Sequence, residues 1–107
     1  MAINIFKNVT ANLTTSGETL YTVPVGYSGI VLMAQVSNLT AGTVEASMFV
    51  QKGAAQTSLA TDFGIPSNDA ASLLSGKLVL EVGQQIFASA SANSSAQITL
   101  SILESQN

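Results

Sequence analysis

Thr43-Val44-Glu45-Ala46-Ser47-Met48-Phe49-Val50-Gln51 alternates between apolar and polar residues over most of its length. Val44, Ala46, Met48 and Val50 fall on one side of an extended chain, and Thr43, Glu45, Ser47 and Gln51 on the other. Successive side chains of a strand point to opposite faces, so this alternation predicts a strand with one face on a core. The same period recurs in Ala96–Glu104, where Ile98, Leu100 and Ile102 alternate with Gln97, Thr99 and Ser101. It recurs again in Lys77–Val82, through Leu78, Leu80 and Val82.

Further strands are expected at Ile3–Val9, Thr19–Val23, Gly29–Ser37, Ser58–Phe63 and Gln85–Ser91. No helix-period stretch exceeds two turns. Short strands separated by turn signals every 8–12 residues or so are the pattern of a sandwich or barrel. The expected fold is all-β: one antiparallel, jelly-roll-like β-sandwich of about eight strands spanning residues 1–107. Val23-Pro24-Val25-Gly26 reads as a type I turn with proline second and glycine fourth. Leu39–Gly42 is expected to close a hairpin. Turns at Val82–Gln84 and Ala92–Ser94 are expected to fold the last three strands into a meander. Asp69-Ala70-Ala71-Ser72, inside the irregular piece Phe63–Leu74, could form a single helical turn.

Gly29–Ser37 departs from simple alternation. Ile30, Leu32, Ala34 and Val36 form one face, and Val31 and Met33 make the other face apolar too. A strand apolar on both sides is covered on both sides, whether by a loop, a terminus or another subunit. Phe49 and Phe87 likewise oppose the core faces of their strands. Val31, Met33, Phe49 and Phe87 are therefore candidate interface residues. Residues Ala2–Leu13 read either as the first strand or as an amino-terminal arm that reaches a neighbour, with Ile3, Ile5 and Phe6 as its apolar contacts.

Composition bounds the function. Charged residues make up 8% of 107, against about 25% in an average domain. The only cations are Lys7, Lys52 and Lys77, and the net charge is −3. Nucleic-acid binding needs a basic patch to replace phosphate counterions, so no nucleic-acid partner is expected. An anionic membrane surface is disfavoured on the same ground. The longest apolar run, Ile30–Ala34, is far short of the ~20 residues that span a bilayer. Synthesis in a cytoplasm without a targeting segment is the expectation, with no membrane partner.

With no cysteine and no histidine, the usual ligands for zinc, haem and iron–sulfur clusters are missing, as are disulfides and Ser–His or Cys–His catalysis. No cofactor and no enzymatic activity are expected. Asp62 and Asp69 flank Asn68 with hard oxygen ligands, but no calcium-loop spacing surrounds them. Glu18, Glu45, Asp62, Asp69, Glu81 and Glu104 read as solvated acids on strand faces or turns. Asn8, Asn12, Asn38 and Asn93 begin Asn-x-Ser/Thr sequons, as expected by chance in so serine- and threonine-rich a chain.

Two stretches together carry a resemblance. Leu20-Tyr21-Thr22-Val23-Pro24-Val25-Gly26 leads into the apolar strand Ile30–Val36 and Asn38. Gly76-Lys77-Leu78-Val79-Leu80-Glu81-Val82-Gly83-Gln84-Gln85-Ile86 precedes an Ala/Ser strand and Ser101-Ile102-Leu103-Glu104. From Thr19 to Glu104 the chain resembles small virion proteins of tailed bacteriophages, including phages of marine bacteria and cyanobacteria. It departs from them at Gln84, where an acidic residue often comes after the glycine. The resemblance implies a β-sandwich accessory protein of the particle with no catalytic residues. The expectation is a capsid decoration or cement protein, located in the virion and made in the bacterial host. Its partners would be itself, with a trimer expected first, and the major capsid protein or other virion proteins. Placement on the tail, neck or fibre, or a module binding host-surface carbohydrate, are the alternatives.

Overall fold

A computed structural model describes residues 4–107. Nine strands form two antiparallel sheets. Sheet A runs β1 (Asn4–Asn12), β9 (Ala96–Gln106), β3 (Tyr27–Asn38), β6 (Ala70–Ser72), and β7 (Leu78–Leu80) pairs with β3 further along its length. Sheet B runs β2 (Glu18–Thr22), β8 (Gln85–Ala90), β4 (Val44–Lys52), β5 (Ala55–Ile65). Consecutive strands cross repeatedly from one sheet to the other, which is the winding of a jelly roll. Among the described residues no helix is long and apolar enough to cross a membrane.

The alternating segments dictate the core. Val44, Ala46 and Met48 of β4, Ile86, Ala88 and Ala90 of β8, and Ile98, Leu100 and Ile102 of β9 are all buried between the sheets. Leu13, just past β1, and Ile65, the last residue of β5, are fully buried and close it. Burying a leucine or isoleucine side chain is worth about 1.5–3 kcal/mol each, so this inter-sheet layer is the main driving force for the fold.

Several local expectations are corrected. Leu39–Gly42 does not close a hairpin: it carries the chain from sheet A to sheet B. Asn38, buried at the crossing, fixes this path. Its Nδ2 donates to the carbonyls of Gly42 (2.7 Å), Ile65 (2.9 Å) and Pro66 (3.1 Å). Its Oδ1 accepts from the amide and hydroxyl of Thr40. The last strands are likewise no meander, since β7 and β9 lie in sheet A and β8 in sheet B. Ala70–Ser72 is a strand and not a helical turn, because Gln35–Ser37 of β3 offer it a ladder to pair with. The proline turn is shifted by one residue. Tyr27 N donates to Pro24 O, and Gly26 at φ +88° takes the third position, as in a type II turn.

The alternation in β3 inverts at a bulge. Between Val31 and Met33 the register with β9 slips, and Leu32 is the extra residue. A bulge puts two residues opposite one and flips the facing of every residue beyond it. Val31 thus joins Ala34 and Val36 in the core, fully buried, and Ile30 and Met33 face outward. Val31, a candidate interface residue from sequence, is a core residue.

Candidate interaction surfaces

The cross-strand register fixes the outer face of sheet A row by row. One row reads Phe6, Leu103, Ile30, Val79 across four strands. Beside it lies Asn8, Ser101, Met33, and then Thr10, Thr99, Gln35, Ser72. Asn12, Gln97, Ser37, Ala70 close one end, and Asn4, Ser105, Ser28 the other. None of these outward positions carries a charge. The chain's charges lie on sheet B, at its edges, in the turns or between the sheets.

The apolar exposure is also lopsided. Phe6 (76% exposed), Val25 (91%), Val79 (66%) and Val82 (48%) are four of the six large apolar side chains exposed among the described residues. All four sit toward the end of the sandwich that holds the Pro24–Tyr27 turn, because β1, β3, β7 and β9 meet there in register. That end is rigidly built. Val23 N donates to Gln84 O (3.0 Å) and Gly83 N to Val23 O (3.2 Å), which ties the two turns together. Gln84 Oε1 accepts from the amide of Glu81 at 2.7 Å. A carboxylate could accept the same bond, so the departure at Gln84 keeps the turn.

The outer face of sheet B is different. Phe49 and Phe87 are direct cross-strand partners, with ring centroids 6.3 Å apart, and both are half-buried. Gly17 makes room for Phe87: a Cβ there would lie 2.5 Å from Phe87 Cε1. The aromatic pair is therefore partly covered by the chain's own β1–β2 loop. Glu18 and Glu45 occupy the same sheet, and Asp62 sits in a bulge of edge strand β5 at φ +49°, its amide held by Ser47 Oγ at 3.0 Å.

Of the other residues singled out from sequence, Ile3 lies outside the described residues. Ile5 faces the inter-sheet space and is half-buried, Phe6 points outward from sheet A, and Met33 is outward and half-buried. Residues 4–12 are an edge strand of the sandwich, paired with β9 over their whole length.

Two groups escaped the sequence reading. Glu104 is buried, not solvated. Tyr21 Oη donates to its Oε2 at 2.6 Å, and Lys7 Nζ lies 3.3 Å from its Oε1. The signal was its parity: Glu104 falls in step with Ile98, Leu100 and Ile102. Asn38 is also buried, with its amide fully engaged, so its sequon offers no acceptor for a glycan. No group of three or more acidic residues that could hold a metal ion occurs among the described residues. Asp69 instead accepts from its neighbour's amide, Ala70 N, at 2.8 Å.

No family model matches the chain, and no curated protein matches it. Solved structures share its fold at low identity. A protein of the disulfide-linked pili that form Bacillus endospore appendages aligns with a TM-score of 0.58 and 9% identity, covering 99% of this chain and 88% of that one. A chain of the T13 particle of infectious bursal disease virus aligns with a TM-score of 0.58 and 7% identity, over 95% of this chain and 30% of that one. A pentameric capsid protein from metagenomic phage sequences gives a TM-score of 0.45 at 14% identity, over 92% and 60% of the two chains. This chain therefore spans less than a third of the viral particle protein that it overlays. What the first two likenesses show is the two-sheet sandwich.

Proposed function

We propose that the protein is a non-enzymatic structural component of a phage particle, a decoration or cement protein that docks on the head and reinforces it. The observation that carries this reading is the gathering of Phe6, Val25, Val79 and Val82 at one end of a rigid sandwich. Apolar side chains held at fixed positions lose little conformational entropy on docking, and few charges have to be desolvated. A lattice repeats the same site many times, so modest contacts sum to substantial reinforcement. The resemblance to small virion proteins and the jelly-roll winding, which recurs in capsid proteins, support the same reading. A disulfide-linked polymer is not available to this sequence, which has no cysteine.

The test is to remove the gene, purify particles and heat them. Heads that release genome at a lower temperature, and recover when purified protein is added back, are the expected result. Intact heads with defective adsorption would move the protein to the tail, neck or fibre. Binding to a soluble glycan without association to particles would overturn the structural reading.

A further inference from the structure

We infer that the uncharged outer face of sheet A is covered by the same face of a second copy, in a twofold dimer whose axis runs along the strands. The size of the face is suited to this. Five rows two residues apart span roughly 30 Å, and four strands roughly 19 Å. A footprint of roughly 600 Å² approaches the ~800 Å² per partner of a standard interface. Charge selects the occupant. The chain as a whole is at −3, and the outer side of sheet B carries Glu45 on β4 and Asp62 in the bulge of β5 opposite Ser47, so a self-contact there would crowd like charges. The outer face of sheet A has no charge to repel its twin.

The row order then selects the axis. Rotation about an axis parallel to the strands, between β9 and β3, keeps each row at its level and reverses its sequence. Phe6 falls over the partner's Val79, and Leu103 over the partner's Ile30. The longest apolar row is thereby matched large against small. The polar rows meet polar rows, where hydroxyls and amides can exchange hydrogen bonds. An axis across the strands through the middle of the face would set the apolar row over the polar Thr99 row, and one along the apolar row itself would leave the rows toward Gln97 uncovered. Aligned sheet packing at about 30° suits the natural twist of two such faces. The expected stoichiometry is two, not the three expected from sequence.

This inference rests on reading the apolar exposure as an interaction surface, and it divides that surface: Phe6 and Val79 go to the second copy, and Val25 and Val82 remain for the particle. With the axis along the strands, both Pro24–Tyr27 ends point the same way. The dimer would present two Val25–Val82 tips to a lattice and gain avidity wherever their spacing matches two sites.

The test is sedimentation equilibrium of the full chain at tens of micromolar. The expected mass is twice the 11.0 kDa of the chain, with little change between low and high salt, because the contact has no charge to screen. Phe6→Asp and Val79→Asp should each shift the protein to monomer with unchanged circular dichroism, and Phe63→Asp, on the edge of sheet B, should leave the dimer intact. A thiol-specific bismaleimide should then link Phe6→Cys protein to Val79→Cys protein in a mixture, more readily than it links either variant to itself. A monomer, a trimer, or a dimer that survives both aspartates would overturn the inference. Add-back to particles separates it from the functional reading. A monomeric wild type that still restores heat resistance refutes the dimer alone, and a dimer that never binds particles refutes the particle role alone.

Discussion

The Tyr21 hydroxyl reaches across the sandwich from β2 and donates a 2.6 Å hydrogen bond to Glu104 on β9, joining the two sheets by a polar tie inside the core. Gly29 pairs with Glu104 in sheet A, and its missing side chain makes the tie possible. A Cβ there would lie 3.2 Å from Tyr21 Oη and 3.3 Å from Val23 Cγ2. Lys7, nearly half exposed on the edge strand β1, neutralises the other carboxylate oxygen. An inward-pointing charge on an edge strand also discourages a foreign strand from adding there. One network thus locks the sheets together and marks β1 as a closed edge.

The tie makes stability depend on alkaline pH. The Tyr21 phenol is pushed well above the ordinary tyrosine range, first by burial, then by its hydrogen bond to Glu104, then by the negative charge of that carboxylate. A group whose native pKa is raised gives stability that is fully present below its unfolded value of about 10 and lost as pH rises through the native value. Thermal melts between pH 8 and about 11 should show wild-type stability falling above about pH 10. Tyr21→Phe should be less stable at pH 8 and fall less steeply, because it has no buried phenol to ionise. Parallel curves for the two proteins would show that the phenol does not titrate as its burial requires.

Lys7 and Glu104 should be strongly coupled. Removing one partner of a buried pair leaves an uncompensated charge, but Lys7 retains access to water, which weakens the effect. Lys7→Met is expected to cost about 1–2 kcal/mol at neutral pH. In the Glu104→Gln background the same change should cost clearly less, since no buried carboxylate is left to neutralise. Urea titrations of the four proteins close the cycle, and equal losses in both backgrounds would deny the pairing.

The core strands β4 and β9 were legible because strict alternation has one structural meaning. The inversion in β3 was not. Ile30–Val36 is apolar at every position except Gln35, so no pattern marks Leu32 as the extra residue. β6 is three residues of alanine and serine with no period, and only its partner β3 makes it a strand. The crossings at Leu39–Gly42 and Val82–Gln84 look like hairpin turns in sequence, since a turn signal says that the chain bends and not which sheet receives it. The apolar row of sheet A was half legible. Phe6 stood out as an apolar residue, but its neighbours Leu103, Ile30 and Val79 come from three other strands, and register alone assembles them.

Asn38 is expected to be among the most sensitive polar positions. Its amide serves three carbonyls, that of fully buried Ile65 among them, and its oxygen serves Thr40. Asn38→Ala should cost about 2–4 kcal/mol, as the buried bond to Ile65 and the part-buried bonds to Gly42, Pro66 and Thr40 are lost together. Asn38→Asp keeps the acceptor for Thr40 but brings a carboxylate to three carbonyl oxygens, and should be no better tolerated. Chemical denaturation measures both. A loss under about 0.5 kcal/mol for either, the level of an ordinary surface change, would mean that the crossing is held by its backbone alone.

Leu100 and Ser101 are neighbours in sequence that serve opposite surfaces. Leu100 is fully buried between the sheets, and Leu100→Ala should cost about 2–5 kcal/mol through lost burial and the cavity left behind. Ser101 points outward, where its hydroxyl donates to Asn8 Oδ1 at an exposed 3.2 Å. Ser101→Ala should change folding stability by no more than about 0.5 kcal/mol. If two copies meet on this face, apparent stability rises with protein concentration by mass action, so the comparison has to be made at several concentrations. The Leu100→Ala loss should persist at every concentration, because a core cavity weakens each chain whether or not it is paired. Any Ser101→Ala loss should grow with concentration, because it would come from the contact. A loss at Ser101 that is as large as that at Leu100 and independent of concentration would mean that the outer face of β9 is packed within the single chain, against the alternation on which the assignment of sheet A rests.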